Sequence, residues 1–197
     1  MKYDAFIFFG RPGSGKGTQV ALLLDFFREK FPEKNILRVE AGDILRKFAE
    51  TDGYTQGKVA EIIQDGRLVP SFLINTLAFD KIVDNFQDGT IIFFDGFCRR
   101  TEQAVFVDQI SDFYGYRKLA FIYLDLEEQD AIERLLLRQR SDDNMDAIKV
   151  RLSEFDNETF PSLDFFDQRE RYDIIRINAK PPIKEIHNEI VEKVISE

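Results

Sequence analysis

The sequence of 197 residues is 44% hydrophobic and 32% charged, a composition typical of a globular protein with room for one α/β domain and a sizeable core. Its formal net charge of −9 argues against non-specific binding to nucleic acid or to a membrane, although a local group of arginines can still bind an anionic substrate. The single cysteine excludes an internal disulfide and a cysteine-based zinc site, and no apolar stretch is long enough to span a bilayer, so we expect a cytoplasmic protein.

Apolar runs and amphipathic segments alternate along the chain and predict five strands separated by helices. In the first half we predict strands over residues 5–9 and 36–40, and helices over 19–31, from Ile44 to a break at Asp52-Gly53, over 58–64, and from Pro70 to about Phe86. In the second half we predict strands over residues 90–94, 118–124 and 173–177, and helices over 101–110, 127–139 and 145–157, with two more opening at Pro161 and Pro182. Strands that alternate with helices predict a parallel, doubly wound sheet.

A glycine-rich loop, Gly10-Arg-Pro-Gly-Ser-Gly-Lys-Gly-Thr18, lies between the first predicted strand and the first predicted helix. Glycines let several backbone N–H groups point at one anion, and the helix N-terminus adds partial positive charge. The general pattern has Ser or Thr directly after the lysine, whereas here Gly17 follows Lys16. The alternative is a turn that only caps a helix. The spacing favours a phosphate-binding loop in which Lys16 reaches the outer phosphates.

An aspartate follows each of two predicted strands, and an arginine comes shortly after each aspartate. Arg99 lies four positions after Asp95, and Arg46 lies three positions after Asp43. A carboxylate after a buried strand beside a phosphate loop is a usual holder of hydrated Mg²⁺, and arginine can bind phosphate bidentately. Taken alone, either aspartate can instead be a helix cap or a turn residue. Because ligands bind beyond the carboxyl ends of the strands in such sheets, we expect these residues to share one site with the loop.

Four arginines, Arg134, Arg138, Arg140 and Arg151, form a second group late in the chain. Spacing alone allows a solvated basic face that pairs with nearby acids. Phosphoryl transfer, however, spreads negative charge over several oxygens and needs several fixed cations, with little covalent chemistry by the protein. The same arginines therefore also fit a mobile segment that closes over phosphorylated substrates.

Four further segments stand out besides the loop with Gln19: Ala41-Gly-Asp-Ile-Leu-Arg46, Gly66-Arg-Leu-Val-Pro70, Asp95-Gly-Phe-Cys-Arg99 with Gln103, and Arg140-Ser-Asp-Asp-Asn144. Together, and in this order over nearly the whole chain, they closely resemble the adenylate kinase family of nucleoside monophosphate kinases. In that family Gly17-Thr18 is the usual form of the loop. The resemblance implies direct, reversible transfer of the γ-phosphoryl group of ATP to a nucleoside monophosphate, with Mg²⁺ as cofactor.

The resemblance also implies roles for single residues. It implies an ATP site formed by Gly13, Ser14, Gly15, Lys16, Gly17, Thr18, Arg134 and Arg138. It implies a monophosphate site formed by Ala41, Arg46, Arg67, Val69, Gly96, Arg99, Gln103, Arg140 and Arg151, in which Gln103 reads the base. The implied catalytic residues are Lys16, Arg99, Arg138, Arg140 and Arg151. Asp95, with Asp43 as the weaker candidate, would hold Mg²⁺ through water, and no zinc site is implied.

The resemblance implies a P-loop fold of three layers: a five-stranded parallel sheet with helices on both faces, a small helical acceptor-binding insert and a minimal lid. We expect a core of residues 1–40, 71–137 and 147–197, the insert over 41–70 and the lid over 138–146, in one domain that acts as a monomer. The expected partners are ATP and a nucleoside monophosphate, with neither nucleic acid nor a membrane.

Three departures from the family pattern leave alternatives open. The lid is very short, since only Gln139 separates Arg138 from Arg140. Cys98 replaces a proline that presets the turn before Arg99, so we expect a less well aimed arginine. Both features favour the alternative of a nucleotide-binding module with little or no transfer. Ala41 is more typical of UMP/CMP kinases, the other alternative, whereas Gln103 favours AMP as the acceptor.

Overall fold

The structure is a computed structural model that describes residues 2–138, the side chain of Arg138 excepted, and residues 144–195. Arg140, which the sequence places in the phosphoryl-transfer group, lies outside the described residues together with the rest of 139–143. In the described ranges no helix combines the length and the apolar character needed to cross a membrane.

Five strands form one sheet: β1 (Ala5–Gly10), β2 (Ile36–Glu40), β3 (Ile91–Asp95), β4 (Leu119–Asp125) and β5 (Tyr172–Asn178). Their order across the sheet is β2-β3-β1-β4-β5, and every neighbouring pair is parallel. The predicted α/β fold with a five-stranded parallel sheet is therefore confirmed. Each predicted strand ends within about one residue of the observed strand. Buried parallel strands can be predicted this closely because they appear in the sequence as short apolar runs.

The helices are α1 (Lys16–Lys30), α2 (Ala41–Ala49), α3 (Tyr54–Gln64), α4 (Ser71–Asn85), α5 (Thr101–Phe113), α6 (Glu128–Arg138), α7 (Met145–Glu154), α8 (Leu163–Asp167) and α9 (Ile183–Ile195). Three predicted starts are wrong. Helix α1 begins at Lys16 rather than Gln19. Helix α2 begins at Ala41 rather than Ile44, directly after β2, with Asp43 in its first turn, where an acid interacts favourably with the helix dipole. Helix α3 begins at Tyr54 rather than Lys58, because its exposed first turn carries no apolar periodicity.

The helix predicted over 145–157 also ends differently. Its α-helical part stops at Glu154, a π-helical turn follows over Phe155–Thr159, and a 3₁₀ turn over Phe160–Ser162 leads into α8. At its other end, Asn144 caps α7, since its side-chain oxygen accepts a hydrogen bond from the N–H of Ala147 at 2.8 Å. A π-helical turn holds about one residue more than an α-helical turn, and one such turn does not visibly change the spacing of apolar residues. The sequence therefore could not predict it.

Apolar side chains cover the sheet on both faces. Along β1, Ile7 and Phe9 pack with the cluster that includes helices α4 and α5, while Phe6 and Phe8 pack with the cluster that includes α1 and α9. Successive side chains of a strand point to opposite faces, so one strand serves both clusters. Phe6 stacks on Phe93 with ring centroids 4.7 Å apart. The two clusters hold the carboxyl ends of β1, β2 and β3 side by side.

The strand order reverses between β1 and β3, which are neighbours although they are distant in sequence. The register places Asp95 of β3 opposite Phe8 of β1 and opposite Glu40 of β2. A crevice outside the carboxyl ends at such a switch point is where ligands bind in open α/β sheets. The fold thus brings the glycine-rich loop, the end of β2 and the turn after β3 together.

Candidate active site

A cavity of about 690 Å³, within the range of small-molecule sites, opens at these strand ends. Most of the predicted site residues line it: Gly13, Gly15, Lys16, Gly17, Thr18, Ala41, Arg46, Arg67, Val69, Asp95, Gly96, Arg99, Gln103, Arg134 and Arg151. Ser14 is buried within the loop. The carboxylate of Asp43 forms an ion pair with the ammonium of Lys47 at 2.9 Å. Neither Ser14 nor Asp43 is among the residues that line the cavity, and the side chain of Arg138 and all of Arg140 lie outside the described residues.

The glycine-rich loop passes from β1 into α1, whose first residue is Lys16. Gly13 has a positive φ of 85°, and a Cβ at this position would lie 2.7 Å from the carbonyl oxygen of Ala131, so the loop packs directly on α6. The Lys16 ammonium donates hydrogen bonds to the carbonyl oxygens of Gly10 at 2.7 Å and Arg11 at 2.8 Å. The N–H groups of the first helical turn have no partners within the helix, so the loop can bind phosphate oxygens.

Arg11 ties this loop to the π-helical turn after α7. Its guanidinium lies 2.8 Å from the carboxylate of Asp156 and 5.1 Å from the ring centroid of Phe155. Arg100, on the turn after β3, lies 3.4 Å from Glu158 of the same segment. The segment is therefore anchored from two sides. Since it directly follows α7, these contacts hold Arg151 of that helix at the cavity.

The turn after β3 presents Arg99 to the cavity. The Arg99 Nε donates a hydrogen bond to the carbonyl oxygen of Gly96 at 2.9 Å, and its backbone N–H donates to Gln103 Oε1 at 2.8 Å. Gly96 has a φ of 63°, and a Cβ there would lie 3.1 Å from Arg99 Nη2. Glycine at this position therefore lets the arginine fold back over its own turn.

Cys98 takes an unusual backbone conformation in the same turn. Its φ is 61°, in the left-handed region, and its side chain is fully buried. The Ser162 hydroxyl lies 2.8 Å from the Cys98 carbonyl oxygen, within hydrogen-bond distance. Proline, with φ near −65°, cannot take this backbone conformation. The turn nevertheless places Arg99 at the cavity without a proline, and how well its guanidinium is aimed at a phosphate stays a prediction.

Positive charge gathers around Arg99 at the cavity. Burial lowers the pKa of the Arg99 guanidinium, the charge of Asp95 opposes this effect, and the nearby charges of Arg151 and Arg46 lower it further. Arg99, Arg151 and Arg46 thus lie close enough for their charges to affect one another. A bound phosphate would relieve their mutual repulsion, which makes this part of the cavity an anion site.

Among the cavity residues that were not predicted from the sequence are two oppositely charged neighbours on β2, Arg38 and Glu40. Arg38 Nη2 lies 2.5 Å from Asp95 Oδ2 and 2.9 Å from Glu40 Oε2. The available signal was their spacing, since charged residues two apart in a strand share one face. Their partner Asp95 lies on another strand, however, and only the register of β2 against β3 identifies it.

Asp95 fits the expected role toward Mg²⁺. Its carboxylate lies beside the loop, since a Cβ on Gly17 would be 3.8 Å from Asp95 Oδ2. Over residues 2–138 and 144–195, no group of three His, Cys, Asp or Glu side chains could hold a metal by itself. Mg²⁺ commonly keeps several waters and is held by one or two carboxylates together with substrate phosphates. Asp95 is the residue that would hold it here, through water.

A glycine-rich loop between β1 and α1, an acidic residue at the end of β3 and several arginines line one cavity, and this arrangement is that of a P-loop protein. The model of the adenylate kinase family matches residues 8–171. The chain belongs to the adenylate kinase family.

Individual relatives agree over almost their full length. The adenylate kinase of Leptospira biflexa is 35% identical, over 95% of this chain and 98% of the relative. That of Parabacteroides distasonis is 33% identical, over 95% of this chain and 96% of the relative. A protein of Nostoc sp. named adenylate kinase 1 is 29% identical, over 93% of this chain and 95% of the relative.

Proposed function

We propose that this protein transfers the γ-phosphoryl group of ATP to AMP, in the reversible reaction ATP + AMP = 2 ADP. One observation carries the proposal: the phosphate-binding loop and the arginines line a single cavity. A donor phosphate and an acceptor phosphate can therefore bind in the same cavity. The names of the relatives, all adenylate kinases, support AMP as the acceptor.

On the donor side, the backbone of Gly13 to Thr18 binds the phosphates of ATP, and Arg134 stacks on its base. Lys16 now bonds two carbonyl oxygens of its own loop, and it exchanges them for phosphate oxygens when ATP binds. Because Ser14 is buried, its side chain supports the loop, and its contribution to ATP binding is through its backbone. This arrangement fixes the donor by backbone groups that do not have to reorganise.

On the acceptor side, Arg46 and Arg99 bind the monophosphate, beside Ala41 and Gly96. The stretch from Arg67 to Val69 meets the base. Because Gln103 Oε1 accepts the Arg99 N–H, the Gln103 amide group has its two N–H donors to offer to a base. A ring nitrogen of adenine is a suitable acceptor for such a donor, whereas N3 of uracil carries a hydrogen. The same glutamine thus links the orientation of Arg99 to the identity of the acceptor.

The transfer step needs no side-chain nucleophile, because an oxygen of the acceptor phosphate attacks directly. Arg151, together with Arg138 and Arg140, balances the charge that spreads over the transferred group. When bound, Mg²⁺ supplies further positive charge to the donor phosphates, and Asp95 orders its waters. Lys16 holds the outer phosphates in place while the bond to the leaving oxygen breaks.

The division into parts is also proposed: a core of 1–40, 71–137 and 147–197, an acceptor-binding insert over 41–70 and a lid over 138–146. Helices α2 and α3 support the insert, since they lie between β2 and the start of α4. Action as a monomer in the cytoplasm remains a prediction.

The test is an acceptor panel with ATP and Mg²⁺ and with AMP, CMP, UMP or dCMP at equal concentration. We expect turnover with AMP at least tenfold above any pyrimidine. Turnover with pyrimidine monophosphates but not with AMP would overturn the proposal. It would favour the UMP/CMP kinase alternative that Ala41 indicates. Tight binding of a bisubstrate dinucleotide without any turnover would instead identify a nucleotide-binding module.

A further inference from the structure

Four charged side chains form a continuous chain of ion pairs from the acceptor site to Asp95. Arg46 Nη2 lies 3.4 Å from Glu40 Oε1, and Arg38 Nη2 lies 2.9 Å from Glu40 Oε2. The same Arg38 nitrogen lies 2.5 Å from Asp95 Oδ2. Charges alternate along the chain, so each carboxylate is held by at least one arginine. The ion-pair chain thereby joins a ligand of the acceptor phosphate to the carboxylate that would order the waters of Mg²⁺.

Arg38 and Mg²⁺ compete for the same carboxylate. The side chain of Asp95 is only 7% exposed, so water screens the repulsion between two neighbouring cations poorly. The Arg38 nitrogen on Asp95 already contacts Glu40, so the guanidinium can shift toward Glu40 without needing a new partner. Glu40 is therefore the place where Arg38 is held when Asp95 turns to the metal.

Glu40, however, is shared with Arg46 in the absence of ligand. A doubly charged phosphate is a stronger partner for a guanidinium than a shared carboxylate is. An acceptor phosphate bound to Arg46 draws that side chain away and leaves Glu40 to Arg38. Glu40 therefore attracts Arg38 away from Asp95 more strongly when the acceptor site is occupied.

We propose that Arg38 and Glu40 are positioning residues that couple binding of the acceptor phosphate to binding of Mg²⁺ at Asp95. Without ligands, Arg38 neutralises Asp95. With a phosphate on Arg46, Glu40 holds Arg38 and Asp95 is released to the metal. The coupling rests on the proposed function, because it uses Arg46 and Asp95 in the roles proposed there. Linkage makes it reciprocal, so Mg²⁺ with a donor nucleotide tightens acceptor binding by the same factor.

The test measures binding rather than turnover. Calorimetry with a non-hydrolysable ATP analogue gives the Mg²⁺ concentration at which Mg²⁺ has half of its full effect on binding of the analogue. The measured quantity is the ratio of this concentration without AMP to that with AMP, and in the natural protein we expect a ratio of about five or more. In Glu40→Gln the ratio falls to about one. In Arg38→Gln the concentration is already low without AMP, and Arg38→Lys keeps the coupling because a single nitrogen bridges both carboxylates.

Glu189→Gln is the matched control, since Glu189 forms an exposed pair with Lys193 at 2.7 Å on α9, away from the cavity, and its removal leaves the ratio unchanged. Circular dichroism confirms that each variant is folded. A ratio near one in the natural protein, with both nucleotides bound, overturns the coupling while the proposed function stands. Coupling that survives in Glu40→Gln overturns the role of Glu40. A natural protein that binds neither nucleotide overturns the proposed function and the coupling together.

Discussion

Replacing Arg99 with methionine separates acceptor binding from folding. The side chain lies at the cavity next to the charges of Arg46 and Arg151, and its burial and those charges lower its pKa. Methionine keeps an unbranched apolar stem at this position but removes the charged guanidinium. We expect the ligand-free protein to tolerate the change, whereas binding of the monophosphate suffers strongly.

The magnitudes follow from the contacts. Loss of charged hydrogen bonds to a phosphate costs about 2 to 3 kcal/mol, which raises the KM for AMP roughly 30- to 150-fold. The KM for ATP should change less than about threefold, since the loop on the other wall is untouched. In folding, the variant loses the bond from Arg99 Nε to Gly96, worth about 1 kcal/mol, and gains relief from repulsion. The Tm of the ligand-free protein should therefore fall by no more than about 4 °C.

The assay measures initial rates over a matrix of ATP and AMP concentrations, with thermal unfolding of the same samples. Arg28→Met is the matched control, because Arg28 forms an exposed ion pair with Asp25 on α1 and does not line the cavity. The control should leave both KM values nearly unchanged. Equal increases in the two KM values of Arg99→Met, or an AMP-specific increase in Arg28→Met, would refute the assignment of Arg99 to the acceptor.

Two substitutions and one labelling experiment test single features of the protein. Lys16→Met should lower turnover at least about a hundredfold with the circular dichroism spectrum preserved, and turnover within tenfold of the natural protein would contradict its phosphate role. Gly13→Ala should destabilise the fold by roughly 1 to 3 kcal/mol in denaturant titration, since its Cβ meets α6 at 2.7 Å, while Gly57→Ala, with open space around it, should not destabilise it. Burial raises the pKa of the Cys98 thiol, so a thiol reagent at pH 8 should label it only in denaturant, and labelling of the native protein would disprove its burial.

The sequence predicts the sheet well because its three central strands, β1, β3 and β4, are buried on both faces. Runs such as residues 5–9 are apolar throughout, and glycine, aspartate or proline marks where they end. The starts of α2 and α3 are poorly predicted for physical reasons. Gly42 reads as a break yet lies inside α2, and the first turn of α3 has no apolar face to mark it. Packing and position after β2 override local propensity there.

The candidate site divides in the same way. Residues in motifs, such as Lys16 and Arg99, could be predicted to converge, because parallel strands bring their carboxyl ends to one edge of the sheet. Arg38 and Glu40 could not, since their meaning depends on Asp95 across the sheet. The left-handed turn at Cys98 likewise has no signature in sequence, because a non-glycine residue with positive φ is held there only by its surroundings.

The fate of a labelled γ-phosphate tests the central claim most directly. The protein is incubated with ATP labelled at its γ-phosphate, AMP and Mg²⁺, and the products are separated. If the loop and the arginine-lined site are the two halves of one transfer site, the label appears in the β-phosphate of ADP, and only when AMP is present. Release of the label as inorganic phosphate, or label that stays in ATP although both nucleotides are bound, would contradict the account.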